Sequence, residues 1–435
     1  MAERPNILYL HSHDTGRYVE PYGYGVATPN IQRLASEGVL FRQAFCAAPS
    51  CSPSRAALLT GQSAHSSGMM GLTHRGWLLH DYRQHLIHTL HGVGYTSALA
   101  GVQHVAPEPG GAARIGYREL LPTESSRAAE VAPAAVAFLE RPHEQPFFLS
   151  VGFVETHLLP GPASFGYEGG DNRYVQPPAP LPDTPRTRQV MADYRLAASK
   201  LDWGIGVVLD ALSRSGLAEN TLLICTTDHG LPLPGMKCGL SDDGLGVMLM
   251  LRGPGGFSGG KVMDALVSQV ALFPTLCDLL TLPPPPWLQG TSLLPLIRGG
   301  ADEVNEVIFG EVTHHVAYDP QRAVRTKRHK YIRRFGERAR PVLSNTDDSL
   351  AKDEWLEHGW QTHERPFEML YDLVFDPRER DNLANDPAHA AVLRNMRARL
   401  ERWMRDTNDP LFEGPISVPA GTEEKDPDAI SPKEA

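Results

Sequence analysis

The string Cys51-Ser52-Pro53-Ser54-Arg55, with Ala56 to Gly61 after it, sets a small nucleophile and an arginine on the first turn of a helix. Pro53 suits a first helical position, where its missing N–H would be unpaired anyway. Ser54 is placed to cap exposed donors, and Ala56, Leu58 and Leu59 begin a buried face. Free N–H groups and the positive end of the helix dipole make such a turn a seat for a tetrahedral oxyanion. Taken alone, Cys51 reads as a buried thiol that packs like a small hydrophobe.

A second group of residues shares the ends of apolar runs. Asp14, preceded by His13, ends the run Asn6 to Ser12; Asp228 and His229 follow Leu222 to Thr227; His157 follows Phe147 to Phe153. A single Asp at a strand end commonly caps the next helix. Two of them, each beside a second donor, predict a divalent-metal site. Oxygen-rich ligation favours a hard ion such as Ca²⁺ or Mg²⁺, while the imidazoles admit Mn²⁺ or Zn²⁺.

These residues need a scaffold that brings strand ends together. The chain alternates strands with helices, which implies a largely parallel sheet covered on both faces, with sites at its carboxyl edge. Helices are expected from Thr28-Pro29-Asn30 with Ile31, Leu34 and Val39 on one side, over 54–62, from about Met191 to Ser215 and from Ser268 to Leu280. Val247 to Arg252 reads as a further strand. Leu158 to Arg188, rich in Pro and Gly, reads as a loop near the site. Beyond Pro283–Pro286 and Gly299-Gly300 the pattern shortens to strands near Val307, Arg325 and Met369. A last helix, Ala388 to about Arg405, carries Leu393, Met396, Leu400, Trp403 and Met404 on one face. Three regions follow: 1–300, an α/β catalytic domain; 301–412, a smaller subdomain with an antiparallel sheet and a terminal helix; and 413–435, a polar tail expected to be disordered.

The 435 residues carry 21% charged and 41% hydrophobic side chains, ordinary for a globular protein with a sizeable core. A net charge of −10 argues against a nucleic-acid binder. The basic run Lys327 to Arg340 reads as a twisted surface strand with solvated side chains. Five scattered cysteines (Cys46, Cys51, Cys225, Cys238 and Cys277) form no disulfide framework. With no signal segment and no membrane-spanning apolar run, a cytoplasmic location without a membrane partner is expected. Oligomeric state is not legible.

The strings NILYLHSHDTG, TPNIQRLASEGVLF, CSPSRAALLTG, TTDHG and YDLVFDPRERDNLA together resemble the sulfatase branch of the alkaline-phosphatase-like superfamily. The third fits that family's signature C-x-P-S-R-x-x-x-L-T-G. Followed by HSSGMMGLTHRGW, it is similar in particular to N-sulfoglucosamine sulfohydrolases. The resemblance implies an α/β/α sandwich with a mostly parallel central sheet and a smaller C-terminal α+β subdomain. It implies conversion of Cys51 to formylglycine by a maturation enzyme, and a hydrolase that frees sulfate from an ester or sulfamate, with a saccharide or small-molecule sulfate as substrate. The metal set would be Asp14, Cys51 as formylglycine, Asp228 and His229, with Ca²⁺ the family ion. Where the family opens with Asp-Asp this chain has His13 and Asp14, so ligation by His13 stays open. Arg55 matches the arginine that holds the formylglycine hydrate, Lys237 the cation that contacts sulfate, and His104 the histidine of G-K-x-H. His157 matches an acid for the leaving group.

The lysine of G-K-x-H is absent, since the segment reads Gly101-Val102-Gln103-His104. Gln103 could partly substitute for it. His229 stands where sulfatases often have Asn and where phosphonate monoester and phosphodiester hydrolases of the superfamily have His. Those hydrolases, and a non-catalytic sulfatase-like binding protein, are the alternatives.

Overall fold

The computed structural model describes residues 4–159 and 165–434. Its centre is an eight-stranded sheet. The strands are β1 (Asn6–Ser12), β2 (Val39–Phe45), β3 (Thr96–Gly101), β4 (Glu119–Leu120), β5 (Phe147–Gly152), β6 (Thr221–Thr227), β7 (Leu249–Arg252) and β8 (Lys261–Ser268). They lie in the order β4-β3-β5-β1-β6-β7-β2-β8, and only β7 runs against its neighbours. The sheet is buried on both sides because its central strands carry apolar residues on both faces. Ile7, Tyr9, Leu222 and Ile224 face one core, while Leu8, Leu10, Leu223 and Cys225 face the other. That is the pattern of a parallel sheet clothed in helices.

Helices α1 (Pro29–Glu37), α3 (Ala128–Leu139) and α4 (Pro185–Arg214) cover one face; α2 (Cys51–Thr60) and α5 (Leu272–Leu279) cover the other. Gly38 ends α1, so Val39 opens β2 instead of extending the helical stripe. Helix α4 begins at Pro185, inside the segment expected to be loop, because Thr184 and Thr187 form a reciprocal capping box. Part of that loop expectation, 160–164, falls outside the described residues. The helix expected from Ser268 starts as α5 at Leu272, after the end of β8 and a 3₁₀ turn. β7 likewise begins at Leu249, two residues after the expected start.

Helix α2 also departs from the expectation. It begins at Cys51, with Ser50 as N-cap, so Pro53 and Ser54 lie within the first turn. The Ser54 hydroxyl donates to the Asp228 carbonyl at 2.5 Å instead of capping. All ten residues of α2 are buried. Gly61 then turns the chain with φ 68°, and a Cβ there would come within 2.5 Å of Leu288.

A second sheet contains β9 (Ile308–His314), β10 (Tyr318–Arg325), β11 (His329–Arg334) and β12 (Glu368–Asp372), all antiparallel, in the order β12-β11-β10-β9. The segment Arg325 to Ile332 is therefore the end of β10, a turn and the start of β11. One face of this sheet joins the main core through Ile308, Val312, Ala323 and Ile332. The other packs on Leu393, Met396, Leu400 and Met404 of α7 (Ala390–Asp406), which follows α6 (Leu350–Glu357). Trp403 is half-buried and stacks on Phe309 at 4.7 Å. The basic run is less solvated than expected. Lys330 is wholly buried, paired with Asp242 and Glu379, because β11 is an inner strand whose polar side chains turn towards the main domain.

The chain from Glu413 to Glu434 lies along the protein. Ile416 N–H donates to the Tyr318 hydroxyl at 3.1 Å, Lys352 Nζ donates to the Ile430 carbonyl at 2.7 Å, and Arg338 pairs with Asp428 at 2.8 Å. Among the described residues no helix is long and apolar enough to cross a membrane. All five cysteines are buried and unpaired.

Candidate active site

β1, β5 and β6 are neighbours, so the residues just past their carboxyl ends meet at one edge of the sheet. Asp14 follows β1, His157 follows β5, and Asp228 and His229 follow β6. The Asp14 N–H donates to Asp228 Oδ1 at 2.7 Å, which locks the two strand ends together. Asp14 has φ 57° and His104 has φ 58°, left-handed conformations that side chains adopt at a cost. Both belong to this cluster, and the turn at Asp14 swings its carboxylate back over the sheet edge.

Asp14 Oδ1 lies 3.0 Å from His13 Nδ1, 3.1 Å from His229 Nε2 and 3.9 Å from Cys51 Sγ. Its Oδ2 accepts from His157 Nδ1 at 2.5 Å and from Lys237 Nζ at 3.3 Å. Asp228 Oδ2 lies 2.8 Å from Arg55 Nη2 and 3.3 Å from His13 Nδ1. Cys51 Sγ is 3.5 Å from His229 Nε2. His13, Asp14, Cys51 and Asp228 each offer a ligand atom within 4.8 Å of the others, and so do His13, Cys51 and His104. Thus Cys51, Arg55, His104, His157, Lys237, Asp14, Asp228, His229 and His13 all converge on one buried cluster.

The electrostatics follow from that crowding. Burial alone would raise the Asp14 carboxyl, but Lys237, His157, His13 and His229 outweigh it and hold Asp14 well below the usual carboxylate range. Asp228 is likewise held low against burial, by His229, Arg55 and His13. Lys237 keeps its proton more firmly than a free lysine, because Asp14 and Asp347 overcome its desolvation. Burial pushes the Cys51 thiol well up, with Asp14 and Asp228 adding to the effect. An unmodified Cys51 is therefore a thiol, a poor nucleophile at neutral pH. Burial brings His13 down to about 4, so its ring is neutral and free to donate a lone pair.

Arg55 and Lys237 face Asp14, Asp228 and Asp347, two cations against three carboxylates. Counted without the histidines, the cluster is one positive charge short. Oxygen and imidazole donors in this number, buried together and short of positive charge, suit a divalent cation. His104 Nδ1 is buried with no partner among the described residues.

Gln103 takes no part. Its amide donates to Ala106 O and Glu108 Oε1 and accepts from the N–H groups of Val105 and Ala106. Every polar atom is spent on the local turn, so it does not stand in for the missing lysine.

Sequence reasoning overlooked three neighbours. Asp347 holds Lys237 Nζ at 2.7 Å from a loop 110 residues away. His11 Nδ1 lies 2.6 Å from Arg55 Nη1, and His315 Nδ1 lies 2.9 Å from the Ser50 hydroxyl. Only the His314-His315 pair, at the end of β9, gave a visible signal.

The chain is similar to known proteins over most of its length. The sulfatase family matches residues 5–282, and the C-terminal family of N-sulphoglucosamine sulphohydrolase matches residues 237–346. Human N-sulphoglucosamine sulphohydrolase is 29% identical over 96% of this chain and 93% of its own. An ulvan-active sulfatase of Formosa agariphila is 29% identical over 96% of this chain and 84% of its own. The solved structure of a 2-O GAG sulfatase superposes with a TM-score of 0.75 at 23% identity, covering 96% of this chain and 95% of that one. The chain belongs to the sulfatase family and is a sulfuric ester hydrolase.

Proposed function

We propose that this sulfatase is formylglycine-dependent and releases sulfate from a sulfate ester or sulfamate of a sulfated or N-sulfated sugar. The observation that carries the reading is Cys51 at the first position of α2, its Sγ 3.5 Å from His229 and 3.9 Å from Asp14. The sugar is supported by the relatives named for sulfated sugars, the human N-sulphoglucosamine sulphohydrolase above all.

Asp14, Asp228, His229 and His13 would hold the ion, Ca²⁺ or else Mg²⁺ or Mn²⁺, and a divalent cation there lowers the pKa of a hydroxyl beside it. Conversion of Cys51 by a formylglycine-generating enzyme supplies an aldehyde hydrate, whose second hydroxyl a serine or thiol lacks. Arg55, pinned by Asp228, the Ser12 carbonyl and His11, fixes the position of α2 against the strand ends. In this reading Lys237 offers its charge to the sulfuryl oxygens, and His104, its pKa held low by burial, offers a hydrogen bond. His157 is 26% solvent-accessible, and Asp14 Oδ2 holds its Nδ1. Its other nitrogen is then available to protonate the departing oxygen or nitrogen. Without the family lysine at Val102, turnover rests on fewer cations.

His229, at a position where sulfatases often have Asn and phosphonate monoester and phosphodiester hydrolases have His, favours a second reading as such a hydrolase. One experiment separates the two. The protein is co-expressed with a formylglycine-generating enzyme, the Cys51 peptide is weighed, and glucosamine N-sulfate, an aryl sulfate and a phosphonate monoester are assayed in parallel. Conversion of Cys51 with sulfate release is the expected result. An unconverted thiol, or activity on the phosphonate alone, would overturn the reading.

A further inference from the structure

Beside the catalytic cluster lies a cavity of about 270 Å³ that the mechanism does not use. One wall is the turn Thr73–Arg75 with His315; the other is the C-terminal chain, which contributes Thr422, Glu423 and Lys425. The turn is tied to the site through the Thr73 N–H, which donates to the Ser52 hydroxyl at 3.1 Å, one residue from Cys51. The His74 ring is parallel to that of His104 at 5.7 Å, and His315 is bonded to Ser50. The cavity therefore adjoins the catalytic cluster through His74 and His315.

The charges lining it are unequal. Glu423 and Lys425 pair with each other at 2.7 Å. Arg75 is half-buried, its Nε is shielded and unpartnered, and its Nη2 makes one long contact, 3.5 Å, with the Pro432 carbonyl. Among the described residues it has no carboxylate partner. A partly desolvated guanidinium without a counter-ion is held at a cost that an anion would relieve, and its planar fork suits both sulfate and carboxylate.

We propose that this cavity receives a second anionic group of the substrate sugar, a sulfate or a carboxylate, and that Arg75 binds it. The inference deepens the sulfatase reading and rests on it for the orientation of the sugar.

The test is calorimetric binding to the full-length protein expressed without a maturation enzyme, so that no turnover intervenes. The probes are glucosamine N-sulfate, glucosamine N,6-O-disulfate and a hexuronic acid 2-O-sulfate. At least one doubly anionic sugar should bind roughly tenfold or more tightly than glucosamine N-sulfate, and which one does so identifies sulfate or carboxylate as the guest. Arg75→Ala should remove most of that preference and Arg75→Lys should keep part of it, with melting temperatures confirming that both variants fold. Equal affinity for all three sugars, no binding of any, or a preference that survives Arg75→Ala would overturn the proposal. A preference of the expected kind in a protein that, once matured, releases no sulfate would support the cavity assignment and sink the catalytic reading instead.

Discussion

Two regions of this protein bury charge, and they do it differently. Where the small sheet meets the main domain, Arg322 makes a bidentate pair with Asp409, at 2.6 and 3.0 Å, and donates also to the Val312 and Gln321 carbonyls and the Thr313 hydroxyl. Glu311 there accepts from His65 Nδ1 at 2.9 Å and from its N–H at 3.2 Å, while His65 Nε2 meets the Thr407 hydroxyl at 2.8 Å. No buried polar side-chain atom of Arg322, Glu311, Asp409 or His65 is left without a partner among the described residues. At the sheet edge around Asp14, by contrast, His104 Nδ1 and Arg55 Nε are buried without a partner among the described residues. A completed network specifies a fold; an incomplete one of the same burial is poised for a ligand.

The largest effect expected from breaking this contrast is at Cys51. Cys51→Ala should lower sulfate release on the order of 10⁴-fold or more, with a melting temperature near that of the parent. Arg322→Ala should do the reverse, costing about 3–5 kcal/mol of stability in urea titration because it strands two buried carboxylates. The activity of its remaining folded fraction should be nearly intact. A stability loss at Cys51 as great as at Arg322 would erase the distinction.

Acid sharpens the comparison. Burial opposes ionisation of Glu311, but His65 and Arg322 prevail and hold it at about 2, below its unfolded value of 4.5. The unfolded chain binds the proton first, so this contribution is present above pH 4.5 and is lost as pH falls towards 2. It amounts to roughly 3 kcal/mol at most. Urea midpoints should fall across that window in the parent and stay flatter in Glu311→Gln.

Added Ca²⁺ should stabilise the protein by about 2.7 kcal/mol at a hundred times its Kd. A chelator should reverse the shift, Arg322→Ala should retain it, and Asp228→Asn should lose it. The smallest effect is expected at Gln103, beside a site histidine yet wholly occupied by its own turn. Gln103→Ala should cost about 1–2 kcal/mol of stability and leave KM unchanged; a raised KM would move Gln103 from the structural side to the catalytic one.

The extent to which the sequence disclosed all this varied with the range of the interactions. Runs such as NILYLHS and LLICTT hold four consecutive apolar residues, Ile7–Leu10 and Leu222–Cys225, so β1 and β6 were legible to within a residue. The start of α2 was misplaced because Ser50 and Cys51 begin the helix without a side-chain cap, leaving Pro53 as a misleading marker. The basic run was misread because burial of Lys330 depends on Asp242 and Glu379, acids from two other segments.

By itself the order of residues determined the signature around Cys51, the acids at strand ends and the strand–helix alternation, since each is a local pattern of type and spacing. Only the folded chain decided that Asp347 would hold Lys237 from 110 residues away, that Gln103 would turn inward, and that the C-terminal segment would wall the cavity beside Arg75. Those outcomes depend on which surfaces meet. Electrostatic pairing across long sequence separations has no periodicity to read, because it arises from packing and not from the path of the chain.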